Sequence, residues 1–125
     1  MRKGCIWTTV LVAMAFICAS CNNASSAREY MDSYMTAQEE GDYKKFVTMQ
    51  CEMRGTKCSD KDIEAAAEQM ERWLSGNKIT GYEIVNESID NRGVTIIKVR
   101  TFYQNGTTNE TNHSLIKKDG QWRIQ

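Results

Sequence analysis

The chain has 125 residues, with 16 Lys and Arg against 16 Asp and Glu, and 41% of it is hydrophobic. That length supports one ordinary domain with a core of its own. The balanced charge offers no basic excess to hold phosphates, which excludes nucleic acid as a natural partner, and it offers no polybasic patch to hold a membrane surface.

The N-terminus carries the clearest signal. Arg2 and Lys3 form a short positive start, Gly4 to Ala27 carry no charge, and Ile6 to Ile17 is almost wholly apolar. A membrane-spanning helix needs about 20 apolar residues. A secretory leader needs roughly 7–15, followed by small residues at a cleavage site. The run has the second length, and Ala19 and Ser20 follow it, before Cys21 and the polar Asn22, Asn23, Ser25 and Ser26. The tetrad Cys18-Ala19-Ser20-Cys21 resembles the lipobox of a bacterial lipoprotein signal peptide, with Cys18 where that motif usually has Leu. The resemblance implies a signal peptide over residues 1–20, a tether over 21–25 that starts at acylated Cys21, and one domain over 26–125. It places the domain in the bacterial cell envelope, on the periplasmic or outer-membrane side, held to the membrane through N-terminal lipid. The alternatives are an ordinary cleaved signal and a short uncleaved anchor; each still exports the domain.

Loss of the leader removes Arg2 and Lys3 and leaves 105 residues with 14 basic against 16 acidic side chains. Cys5 and Cys18 leave with it, and Cys51 and Cys58 remain as a pair. Export to an oxidising compartment favours a disulfide between them over two buried thiols. In one continuous helix their separation would span about 10.5 Å, beyond the ~7 Å between Cα atoms that a disulfide tolerates. The bond therefore requires a helix end between them, expected at Gly55.

Three helices are predicted next. Ser26-Ala27-Arg28-Glu29 is a capping box, and Ala27, Tyr30, Met31, Tyr34 and Gln38 recur at helical spacing up to Gly41. Asp42 caps a shorter helix that faces the core through Tyr43, Phe46, Val47 and Met49 or Gln50. Ser59 begins a third, with Asp60 and Asp62 in its first turn, where the helix dipole favours them. Its face is Ile63, Ala66, Ala67, Met70, Trp73 and Leu74, and Gly76 stops it.

After Gly76 the period changes to that of strands. Ile79 to Ile89, Val94 to Tyr103, Thr108 to Lys117 and Trp122 to Ile124 are rich in Val, Ile, Thr and aromatics. Asn105-Gly106 and Asp119-Gly120 are hairpin dipeptides, and Asn91-Arg92-Gly93 is a looser turn. Short connections predict an antiparallel meander, so the fold class is α+β, three helices on one face of a curved four-stranded sheet. With two-residue loops, Tyr103 falls opposite Thr108 and Lys98 opposite His113. Ile97, Val99, Tyr103 and Ile116 then face the helices. Ile96, Leu115, Trp122 and Ile124 fall on the outer face, beside Lys98, Arg100 and His113. A bulge would exchange parts of the two faces.

The order of three helices and four strands, with Gly41-Asp42 between the first two helices and the closing run Lys117 to Ile124, resembles a family of small bacterial lipoproteins with a cystatin-like or nuclear-transport-factor-like roll. That resemblance spans nearly the whole chain after the leader. It implies the roll fold and, through related rolls that pair by the outer sheet face, a homodimer or an envelope protein partner. The family is largely of unknown function.

Residues able to carry chemistry are few. His113 is the only histidine, and no acid is placed to orient it as a general base. One histidine and two cysteines match no common zinc pattern, so no metal, cofactor or catalytic residue is expected. Asn86, Asn105, Asn109 and Asn112 each begin an Asn-x-Ser/Thr triplet, read as chance in polar turns and strands. Tyr30, Tyr34, Trp73, Tyr82 and Tyr103 can line a pocket between helices and sheet, or be plain core. Ile96, Leu115, Trp122 and Ile124 form the candidate interface, or, for the last two, core behind a bulge. The sequence favours a lipid-anchored, non-catalytic binding module for a small ligand or a protein partner. The alternatives are an enzyme that uses the cavity of the roll and an accessory subunit that docks through the outer sheet face.

Overall fold

The computed structural model describes residues 26–125; the leader, Cys21 and the tether over 21–25 lie outside the described residues. The elements run α1 (Ala27–Glu39), α2 (Tyr43–Arg54), α3 (Asp60–Leu74), β1 (Ile79–Ile89), β2 (Thr95–Tyr103), β3 (Thr108–Lys118) and β4 (Gln121–Ile124). The strands form one antiparallel sheet in the order β1-β2-β3-β4. No described helix is long and apolar enough to cross a membrane.

Caps and glycines set the helix ends. Ser26 Oγ accepts from the Glu29 N–H at 3.1 Å, and Ser59 Oγ accepts from the Asp62 N–H at 3.1 Å. Gly41, at φ +79°, ends α1: its N–H donates to the Gln38 carbonyl and the Asp42 N–H donates to that of Ala37, a Schellman pair. Asp42 then caps α2 by accepting from the Lys45 N–H at 3.3 Å. Gly55, at φ +70°, reverses the chain in the same way after α2. That reversal brings the Cα atoms of Cys51 and Cys58 to 6.3 Å, and a disulfide joins them.

The core is a layer between α1, α2 and the sheet. Met31, Val94, Ile97, Val99 and Leu115 are its fully buried side chains, with Tyr30, Tyr34, Met35, Phe46, Val47, Met49, Met53 and Trp122 around them. α1 lies over β1 and α2 lies over β4. α3 packs mainly on α2. It buries only Ala67 fully, with Ile63, Ala66 and Met70 partly covered. A helix with one neighbour needs only a narrow apolar stripe, and Trp73 at its edge stands 74% exposed.

The sheet register differs by one residue from the sequence expectation. The Tyr103 N–H donates to the Thr107 carbonyl and the Gly106 N–H to that of Tyr103, both at 3.0 Å. The loop is therefore three residues, Gln104-Asn105-Gly106, with Gly106 at φ +88°. This is a turn followed by a glycine bulge, not a two-residue hairpin. Phe102 consequently faces Thr108, Lys98 faces Asn112, and Ile97 faces His113. A one-residue slip moves a whole strand's side chains to the opposite face. The expected outer cluster of Ile96, Leu115, Trp122 and Ile124 is thus corrected. Leu115 is 0% exposed and Trp122 is 9% exposed, both in the core; Ile96 stays on the outer face, half-buried; Ile124 ends the edge strand 52% exposed. Asp119-Gly120 does form the two-residue turn, with both residues at positive φ. That puts Trp122 opposite Lys117, whose ammonium lies 5.4 Å from the centre of its ring system.

Candidate functional site

The helix-side face of the sheet changes character along β3. Its alternate residues there are Asn109, Thr111, His113 and Leu115, opposite Thr101, Val99, Ile97 and Thr95. Leu115 is sealed under the helices, His113 is half-buried, and Thr111 and Asn109 are exposed. The helices thus cover the β2 side of this face along its length and leave the β3 side uncovered beyond His113. At the boundary the His113 and Tyr34 rings meet at a steep angle, with centroids 6.2 Å apart and planes at 76°.

Tyr34 is held in place by two further contacts. Tyr34 stacks on Phe46 at 4.4 Å, and its hydroxyl accepts from Gln50 Nε2 at 3.2 Å. Burial raises the Tyr34 pKa and lowers that of His113. At neutral pH the phenol keeps its proton and the imidazole is uncharged. Further along the open end, Thr101 is buried across from Asn109, and Asn109 Nδ2 donates to Thr111 Oγ1 at 3.4 Å. On the opposite side Tyr82, the β1 partner of Thr101, donates to Asp32 Oδ1 at 2.9 Å and lies 3.2 Å from Thr36 Oγ1. The mouth therefore presents hydroxyls, an amide and a neutral imidazole, with Asp32 already engaged by a phenol.

The five expected pocket aromatics do not come together. Tyr30 and Tyr34 belong to the core face of α1. Tyr30 donates to the Met49 carbonyl and to Glu52 Oε1, both at 3.2 Å, and burial followed by the Glu52 charge raises its pKa. Tyr82 ties β1 to α1, Tyr103 sits half-buried at the β2–β3 loop, and Trp73 points to solvent on α3. Of the five, Tyr34 meets His113, and Tyr82 stands across from it beside Thr101. The sequence reading missed Asn109, Thr111 and His113 as a set. Their every-second-residue spacing was visible, but the slipped register assigned β3 to the wrong face.

Elsewhere the polar groups form solvated arrays. Arg100 lies between Glu110 at 2.7 Å and Glu83 at 3.3 Å on the outer face, with Lys98 4.0 Å from Glu110. Exposed pairs of this kind add little stability. An open groove of about 420 Å³ runs between the α1–α2 turn and α3, lined by Asp42, Tyr43, Lys44, Glu64, Glu68 and Glu71 among others. Among the described residues, no group of three or more His, Cys, Asp or Glu side chains is arranged to hold a metal ion.

A family profile, described as a domain of unknown function, matches residues 19–125. The chain belongs to the DUF4878 family. A solved structure from Campylobacter jejuni, provisionally described as an NTF2-like transpeptidase, is similar over 80% of this chain and 100% of its own, at 17% identity and a TM-score of 0.49. No curated protein matches.

Proposed function

We propose that this DUF4878 chain is a membrane-tethered binding module of the cell envelope, non-catalytic, whose ligand site is the open mouth of the roll. The observation that carries the site is the half-buried His113 steeply angled against Tyr34, in a strip continued by Thr111, Asn109 and Thr101. Burial keeps the imidazole neutral, and the Tyr34 hydroxyl keeps its proton. Such a strip offers donors and acceptors without net charge, which suits a neutral polar ligand better than a phosphate or a carboxylate. The tether rests on the leader, where Ala19-Ser20 precede Cys21 after an apolar run of signal-peptide length. Multiple acyl chains on Cys21 would give the stable anchoring that a single chain does not.

Two measurements test this reading. A panel of neutral amide and sugar fragments is titrated into the isotope-labelled protein; shifts confined to Tyr34, Thr101, Thr111 and His113, weakened by Thr111→Val, are expected. Fragments that bind elsewhere or not at all would remove the mouth as the site. For the tether, mass spectrometry of native membranes should find acylated Cys21 as the N-terminus. A Cys21→Ala variant that still fractionates with membranes would refute the anchor.

A further inference from the structure

We propose that the end of the roll where the tether joins α1 rests against the anionic headgroups of the membrane, held there by cations that the fold gathers from separate loops. The proposal rests on the tether reading and adds the surface that docks and the lipid chemistry it meets. Arg28 lies 3.6 Å from Glu87, and Tyr82 reaches Asp32 and Thr36, so α1 runs against the direction of β1 and starts beside the β1–β2 turn. Thr95, which opens β2, faces Leu115, so β3 ends there too, with Lys117, Lys118 and the Asp119-Gly120 turn beyond. Arg123 faces Ile116, and its Nη1 donates to the Glu52 carbonyl. Gly55 lies beside the same guanidinium, so the α2–α3 reversal, with Arg54 and Lys57, stands at this end as well.

No stretch of the sequence is basic enough to hold a membrane by itself, and the patch exists only once these loops meet. Arg54, Lys57, Lys117 and Lys118 are exposed, and among the described residues none of them makes an ion pair. Nearby acids are already engaged: Glu87 by Arg28, Asp90 by Arg92 at 2.8 Å, and Glu52 by the Tyr30 hydroxyl. Asp119 offsets one of the cations. The opposite end has the reverse sign, where Glu39, Glu40, Asp42, Glu68 and Glu71 border the α1–α2 turn and α3. Each Lys or Arg at an anionic surface strengthens attachment about fivefold, and the effect fades within a Debye length, about 8 Å at physiological salt. The tether supplies the proximity. Residues 21–25 reach about 17 Å at full extension, so an acylated Cys21 keeps this end, and not the other, close to the bilayer. Ile89 adds an apolar contact: it follows Glu87 by two positions, which puts it on the same face beside the first turn of α1, and it is 69% exposed. A second copy is a poor occupant, because a two-fold contact would set these cations against each other. In this orientation β3 runs towards the bilayer, so Thr111 and Asn109 lie towards the far end and the mouth opens into the compartment.

The test uses the mature chain from Cys21, coupled through that thiol to a maleimide lipid in nanodiscs; Cys51 and Cys58 are closed as a disulfide and do not react. A lipid with a paramagnetic headgroup reports contact by broadening nearby amide resonances. In phosphatidylglycerol bilayers Lys57, Ile89, Asn91 and Lys118 should broaden, and Gly41, Asn105 and Gly106 should not. In phosphatidylcholine bilayers the contrast should fade. With the Cys21 thiol alkylated instead of coupled, sedimentation with phosphatidylglycerol vesicles should weaken about fivefold for each of Lys57→Gln and Lys118→Gln. Lys45→Gln and Lys78→Gln, at the far end, should change it by less than about twofold. The proposal is overturned by equal broadening of both ends in phosphatidylglycerol, by broadening of the far end alone, or by equal losses from the two pairs of variants. A pattern that persists unchanged in phosphatidylcholine also overturns it, because the tether alone would then set the orientation. Chemical coupling makes this result independent of acylation in the cell. Failure here beside an acylated native Cys21 leaves the tether reading intact, and an unmodified native Cys21 removes that reading whatever the nanodiscs show.

Discussion

Ile97 and His113 are direct partners across β2 and β3. That pairing seats the only histidine on the helix side of the sheet, against Tyr34, instead of among the cations of the outer face. The origin of this relationship is a three-residue loop about 20 Å away along the strands, and its consequences can be measured.

The first concerns pH. Burial holds the His113 imidazole pKa below its ordinary value of 6.5, while the unfolded chain keeps that value. As pH falls through about 6.5, the unfolded state takes up the proton first. The state that binds more protons is favoured by acid, so stability rises with pH across this window. The contribution is complete above the ordinary histidine range and is lost as pH drops towards the depressed folded value. NMR titration should give a pKa below that of a free histidine. His113→Gln should lessen the fall in melting temperature between pH 7 and pH 5; an identical fall in both proteins would contradict the assignment.

The second concerns the reversal after α2. The Cys51–Cys58 bond closes a short loop, and removing it by a double Ser substitution should cost roughly 2–3 kcal/mol in urea unfolding. Gly55→Ala should cost about 1 kcal/mol with the bond intact, because an L residue is strained at φ +70°. The added Cβ would also lie 3.3 Å from Arg123 Nε, in the side chain whose Nη1 donates to the Glu52 carbonyl at 2.7 Å. No loss in either variant would mean that the turn does not hold the two helices together.

The third separates two tryptophans. Trp122, 9% exposed in the core, should cost about 3–5 kcal/mol when replaced by Ala. Trp73, 74% exposed, should change stability by less than about 0.5 kcal/mol. Denaturant titration of both variants decides it. Comparable losses would place Trp73 in a packed environment.

The fourth concerns the Tyr82 hydroxyl, which joins β1 to α1 through Asp32 and Thr36. Tyr82→Phe removes those bonds and keeps the ring, and should lower stability by about 1 kcal/mol. An unchanged unfolding midpoint would show that solvent replaces the bond without loss.

The local elements were legible in the chain because their signals are local. Ser26, Asp42 and Ser59 cap helices with their own side chains, Gly41 and Gly55 adopt the left-handed turns that end two of them, and period-two runs mark the strands. The need for a helix end between Cys51 and Cys58 followed from helix rise alone. The faces were not legible, because they depend on register. Asn105-Gly106 is compatible with a two-residue or a three-residue loop, and only the loop formed, with Gly106 alone at positive φ after Gln104 and Asn105, decides which side β3 presents. Trp73 shows the same limit on a helix. Its spacing fits an apolar face, but whether that face is covered depends on what packs against α3, and α2 covers only a narrow stripe. Capping and periodicity act within a few residues of one another, so the sequence by itself determined where each element begins, ends and repeats. Register and coverage are relations between elements brought together by burial, and those only the tertiary structure decided.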